Sequence, residues 1–115
     1  MDIIIEEIIT EIIKELGYGF NEVIYHNAFL TELRLRNINY QTETIIPITY
    51  KNHNVGSVRS DIIIDNKYVI ELKSTSKIIN SNRTQLSNYL KFLNLTDGYL
   101  INFQPENYEV IKINI

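Results

Sequence analysis

Val58-Arg59-Ser60-Asp61-Ile62-Ile63-Ile64-Asp65-Asn66-Lys67-Tyr68-Val69-Ile70-Glu71-Leu72-Lys73 is the stretch on which the fold turns. Its β-branched and aromatic runs read as two strands, Val58 to Ile64 and Tyr68 to Ser74, joined at Asp65-Asn66-Lys67 by residues that tolerate tight turns. Alternation sends Glu71 and Lys73 to one face of the second strand and Leu72 to the other. Taken alone, that charged pair is ordinary for the solvated face of a strand. The neighbouring strand changes the reading. If residues 65–67 form a three-residue loop, Ile64 faces Tyr68 and Asp61 stands directly opposite Glu71, β-carbons about 5 Å apart. A two-residue turn would shift this register and weaken the geometry. Two carboxylates so close repel unless a cation lies between them, so the arrangement either costs stability or binds metal. With carboxylate and backbone oxygen as donors, the cation is hard and magnesium-like.

Outward from this hairpin, residues 4–16 place Ile5, Ile8, Ile9, Ile12, Ile13 and Leu16 on one helical face and Glu6, Glu7, Glu11 and Glu15 opposite. Gly17 and Gly19 break the pattern. A second helix is predicted from about Asn21 to Arg36, with Val23, Ile24, Ala28, Leu30 and Leu33 inward and Asn37 at its end. Thr44, Ile46, Ile48 and Tyr50 then mark a first strand, with Pro47 suggesting an edge. Lys51-Asn52-His53-Asn54 and Gly56 form the following turn. A third helix runs from Asn80 or Ser81 to about Asn94 with Leu86, Leu90 and Leu93 inward. Gly98 precedes a strand from Tyr99 to Phe103, and Tyr108 to about Ile113 is the last. The expected order is ααβββαββ, a small α/β fold with a mixed sheet flanked by helices, and 115 residues suffice for one domain with its own core.

The absence of cysteine excludes thiolate chemistry, Cys-ligated zinc and iron–sulfur clusters, and suits an intracellular setting. His26 and His53 fall on different elements and read as a helix-surface and a turn residue, so zinc is not expected. Apolar runs reach only three residues, as in Ile62-Ile63-Ile64, and the N-terminus is acidic where a signal peptide would be basic. No membrane partner is expected, and a cytoplasmic location is. Gly17-Tyr18-Gly19 is not a dinucleotide loop, because the third glycine position is Glu22 and a helix precedes it.

The net charge of −3 speaks at first against nucleic acid. Residues 1–16, however, carry five acids and one base, which leaves the remainder at +1. From Lys73 to Lys91 the chain holds Lys73, Lys77, Arg83 and Lys91 and no acid, a basic stretch suited to a phosphate backbone. Within it, Gln85 and Tyr89 lie four apart on one helix face and can both reach a ligand lying across it.

Gly19-Phe20-Asn21-Glu22-Val23-Ile24-Tyr25 fits the GxxExxY signature. Together with Arg59-Ser60-Asp61, Glu71-Leu72-Lys73, Gln85-Leu86-Ser87-Asn88-Tyr89 and Leu100-Ile101-Asn102-Phe103, the chain resembles the GxxExxY proteins of the PD-(D/E)XK nuclease superfamily over nearly its whole length. The resemblance implies a restriction-endonuclease-like core and Mg2+-dependent phosphodiester hydrolysis of DNA, with Mn2+ as a substitute. It implies that Asp61, Glu71 and the Leu72 carbonyl hold the metal, that Lys73 positions or activates water, and that Glu22 completes the acidic cluster. Gln85 and Tyr89 would match the Gln-xxx-Tyr element of RecB-type members and contact DNA, with Arg59, Lys77 and Arg83 as further substrate-binding residues. Ser60 replaces the proline of the superfamily's name. A homodimer would supply binding surface that so short a chain lacks. The alternative is a nuclease-fold module that binds nucleic acid or a protein partner without cutting.

Overall fold

The computed structural model describes residues 1–115. Its elements are α1 (Asp2–Leu16), α2 (Glu22–Leu35), β1 (Tyr40–Tyr50), β2 (His53–Ile64), β3 (Tyr68–Lys73), α3 (Asn80–Leu93), β4 (Asp97–Phe103) and β5 (Tyr108–Asn114), in the order expected. One five-stranded sheet runs β1-β2-β3-β4-β5, antiparallel except for the parallel β3–β4 pair, which α3 connects. A parallel pair needs such a crossover, and it places α3 against a sheet face.

The two faces carry separate cores. Ile5, Ile8, Ile9 and Ile12 of α1 and Tyr25, Phe29 and Leu33 of α2 pack on Ile62, Ile64, Ile70, Leu72, Ile101 and Phe103. Leu86, Tyr89 and Leu90 of α3 pack on Ile46, Ile63, Val69 and Leu100. The inward residues expected on α2 are partly corrected: Val23 and Ile24 are exposed, because the larger Tyr25 and Phe29 occupy the core and the face they define turns the valine and isoleucine outward. Leu33 is buried and Ala28 and Leu30 half-buried, as expected.

The central hairpin has the expected register. Asp65 and Asn66 adopt left-handed backbone (φ 53° and 52°), the Lys67 N–H donates to the Ile64 carbonyl at 2.9 Å, and Ile64 pairs with Tyr68. The preceding hairpin is longer than expected. Lys51 and Asn52, both at positive φ, form a two-residue turn of the type that matches strand twist, so His53 and Asn54 already belong to β2. β1 is an edge strand, which accommodates Pro47. β2 therefore extends well past the six residues of β3, as an arm alongside α3.

Two smaller corrections concern ends. Residue Ile79, rather than Asn80 or Ser81, occupies the N-cap of α3, where its N–H donates to Asn82 Oδ1 at 3.0 Å. Gly98 lies inside β4: a β-carbon there would stand 3.0 Å from both Leu86 Cδ1 and the Val69 carbonyl, so the close seat of α3 on the sheet requires glycine.

Candidate active site

The β2–β3 ladder stops at Ile62–Ile70, one step short of Asp61 and Glu71. At that step the two carboxylates replace the ladder: the Asp61 N–H donates to Glu71 Oε1 at 3.0 Å, and the Leu72 N–H donates to Asp61 Oδ2 at 3.1 Å. The strands open around their own acidic side chains. In a regular strand the carbonyl points the same way as the N–H, so Leu72 turns its carbonyl toward the same gap.

Strand β1 is interrupted at the same level. Thr42 pairs with Ile62 and Thr44 with Ser60, but Glu43, opposite Asp61 by register, is unpaired and left-handed (φ 51°). Ile63 and Val58, five residues apart on β2, both face α3, which regular alternation forbids; the Glu43–Asp61 step is where the period slips. Asp61 consequently lines a cavity of about 360 Å³ on the α2 side with Glu22, His26, Thr42 and Glu43. Glu71, buried, follows Val69 on the α3 side.

Glu22 reaches this level because its helix is anchored. Asn21 Oδ1 caps the Ile24 N–H at 3.3 Å. Tyr25, buried and stacked on Phe103 with centroids 4.1 Å apart, donates its hydroxyl to the Gly17 carbonyl at 2.8 Å and accepts the Phe20 N–H at 3.3 Å. The Ser74 hydroxyl donates to the Phe20 carbonyl at 3.0 Å and ties the end of β3 to the same corner. Behind it, buried Asn102 grips Thr75 through both its carbonyl and its N–H, which fixes the exit of β3 beyond Lys73.

Burial, and then the neighbouring Asp61, push the Glu71 carboxyl up to about 9. Burial followed by Asp61 also raises Glu22, while Lys73 and His26 oppose the rise. Tyr89 is raised by burial, then by Glu71 and Asp61, which places the tyrosine in the field of both acids. No ion pair compensates them: the three salt bridges all lie elsewhere, and Lys73 Nζ donates to Gln85 Oε1 at 3.4 Å. A buried and a half-buried carboxyl group side by side, without a cationic partner and with a backbone carbonyl alongside, are a donor set that fits a hard divalent ion. As the side chains stand, no three of the carboxylates and imidazoles converge closely enough to enclose an ion.

Of the residues expected at the site, Glu22, Asp61, Glu71, Leu72, Lys73, Gln85 and Tyr89 come to one region of the molecule. Tyr89 is core as well as site neighbour, since it is buried against Ile46 and Leu100. Arg59 is exposed on the arm, Lys77 lies in the loop before α3, and Arg83 is exposed in the first turn of α3; none bonds to a site residue. Two neighbours escaped the sequence reading. His26 follows Glu22 by four, the spacing that shares a helix face, and its ring nitrogen lies 3.3 Å from the Thr42 hydroxyl. Glu43 is the residue opposite Asp61 once the first hairpin is registered.

The arrangement is a small mixed sheet flanked by helices, with buried Glu71 beside half-buried Asp61 on the central hairpin, and comparison with known sequences names the fold's family. The sequence model of the PD-(D/E)XK nuclease superfamily matches residues 1–113, and the chain belongs to that superfamily. Nucleases of this kind generally use divalent metal ions and act on nucleic acid. The crystal structure of SSO0001 is similar, with a TM-score of 0.63 and 25% identity over 79% of this chain and 48% of that one. The chain thus spans about half the length of that protein. No curated protein matches the chain. No helix is long and apolar enough to cross a membrane.

Proposed function

We propose that this chain is a metal-dependent nuclease that hydrolyses phosphodiester bonds of DNA at Asp61, Glu71 and Lys73. The observation that carries this reading is the Asp61–Glu71 pair, which opens the sheet and lacks a cationic partner. Asp61, Glu71 and the Leu72 carbonyl would hold Mg2+, with Mn2+ as a substitute. A bound divalent ion supplies an activated water and neutralises charge at the phosphoryl oxygens.

The chain's own groups do the rest. Burial and the neighbouring Asp61 keep the Glu71 carboxyl protonated at neutral pH in the metal-free chain, and a divalent ion held between Asp61 and Glu71 would favour its carboxylate form. Lys73, held toward the site by Gln85, places an ammonium beside the reacting phosphate and stabilises its developing charge or orients the water. Glu22, its carboxyl raised by burial and Asp61, faces the opposite side of Asp61 and can accept a proton from water there. No covalent intermediate is required, so the lack of a Ser–His or Cys–His pair is no obstacle.

A second reading, a nuclease-fold module that binds without cutting, is favoured by one observation: both carboxylates already accept backbone N–H groups. Supercoiled plasmid and circular single-stranded DNA incubated with Mg2+ or Mn2+ separate the two. Cleavage by the parent that is lost in Asp61→Ala and Lys73→Ala supports the enzyme. Binding without cleavage supports the module, and cleavage that persists in both variants removes the assigned residues.

A further inference from the structure

A second cavity, of about 400 Å³, lies on the α3 side of the sheet, lined by Val58 of the β1–β2 arm and by Ser81, Thr84, Gln85, Asn88 and Tyr89 of α3. It differs in character from the α2-side cavity. That one carries Glu22, Glu43 and Asp61, whereas this one has no carboxylate. A polyanion therefore meets three lining carboxylates on the α2 side and none on the α3 side, where Glu71 and Asp61 are felt only at the inner end beside Tyr89.

Ser81, Thr84, Gln85 and Asn88 follow one another at i, i+3, i+4 and i+7, a single stripe along α3. Ser81, Thr84 and Asn88 are exposed and make no side-chain hydrogen bond within the chain. Gln85 accepts a bond from Lys73 and is also a hydrogen-bond partner of Tyr89, so the stripe leads to the site. Its lining contains no lysine or arginine, which leaves Lys73, at the inner end, as the cation for a phosphate.

Amide and hydroxyl groups can bond base edges, and a slot without lysine or arginine offers no charge to a run of phosphates. The slot is concave, between a helix and an overhanging strand, and paired bases cannot enter a concave slot: a protein reads them by inserting an element into a groove about 12 Å wide. Splayed bases of an unpaired strand can enter. Resting on the nuclease reading, we propose that the cleft between the β1–β2 arm and α3 binds single-stranded nucleic acid, with bases against Ser81, Thr84 and Asn88 and the backbone led past Lys73 to Asp61 and Glu71. The preferred substrate is then an unpaired strand or single-stranded flap.

The test is fluorescence anisotropy with a labelled DNA strand of about twelve nucleotides and with its duplex, in Ca2+ so that the probe survives. The single strand is expected to bind about tenfold tighter than the duplex, and a Thr84→Ala, Asn88→Ala double variant to lose about tenfold for the strand alone. Ser81→Trp, which fills the slot from an exposed position, is expected to do the same, with circular dichroism confirming the fold. Equal affinity for strand and duplex, or variants that bind as the parent does, overturns the proposal. The two readings fail separately. Strand-selective binding lost in the variants, without cleavage in Mg2+, upholds the cleft and removes the hydrolase; cleavage of duplex and strand alike, with indifferent variants, does the reverse.

Discussion

Replacing Glu71 by glutamine should stabilise the metal-free protein while removing its response to divalent ions. The glutamine keeps the oxygen that accepts the Asp61 N–H and presents its amide to the Asp61 carboxylate, so packing is preserved and folding no longer requires a carboxylate to take up a proton. Because the Glu71 carboxyl rises from 4.5 to about 9 on folding, its contribution is fully present below about pH 4.5, declines as pH rises, and is gone by about pH 9. At about 1.4 kcal/mol per pH unit, the loss by neutral pH is at most about 3–4 kcal/mol, a sizeable part of the roughly 5–15 kcal/mol typical of a domain. In thermal unfolding followed by circular dichroism with chelator present, the parent should lose roughly 10 °C between pH 5 and pH 7 from this source. Glu71→Gln should show a flatter profile and the higher midpoint at pH 8. Added Mg2+ should raise the parent and leave the variant unmoved. A parent midpoint that is flat from pH 5 to 9, or a variant no more stable at pH 8, would refute the reasoning that an uncompensated buried carboxylate sits at this step of the sheet.

Tyr25→Phe keeps the stack on Phe103 but frees the Gly17 carbonyl and the Phe20 N–H; a loss of about 1–2 kcal/mol in urea unfolding is expected, with a fall in activity because Glu22 is positioned by that corner. Gly98→Ala, with its new carbon 3.0 Å from Leu86 and the Val69 carbonyl, should cost about 1–3 kcal/mol by the same measurement and lift α3 from the sheet. Ser60→Ala removes a fully buried hydroxyl that has no partner, so it should be neutral or stabilising by up to about 1 kcal/mol; a clear destabilisation would show that the hydroxyl is satisfied.

The hairpin that carries Asp61 and Glu71 was legible because Asp65, Asn66 and Lys67 form a turn cluster between two β-branched runs. Its register was not, since left-handed Asp65 and Asn66 equally suit a two-residue turn and only the observed pairing of Ile64 with Tyr68 decides it. The helices were legible from period, and their ends from asparagines: Asn37 and Asn94 both adopt φ 57°. The face of α2 was not, since Val23 and Ile24 compete with Tyr25 and Phe29 for the core and only packing against Phe103 and the sheet decides it. Glu43 was invisible for a different reason. A left-handed glutamate inside a strand contradicts local preference, and it is held there by the hydrogen bonding of the strands around it. The alternation that places side chains on strand faces fails at that step, so the position of Asp61 between the faces, and of His26 across the α2-side cavity, follows from the three-dimensional register alone.

The central claim, that Asp61 and Glu71 organise metal-dependent hydrolysis of a phosphodiester, is tested most directly by the single-turnover rate of DNA cleavage in Mg2+ for the parent and for Asp61→Asn, a substitution that preserves shape and hydrogen bonding. The account predicts cleavage by the parent that chelator abolishes, and a fall of at least about a thousandfold in a variant that melts like a folded protein. Equal rates in the two proteins, or a parent that leaves DNA intact at every concentration of Mg2+ and Mn2+, would contradict it.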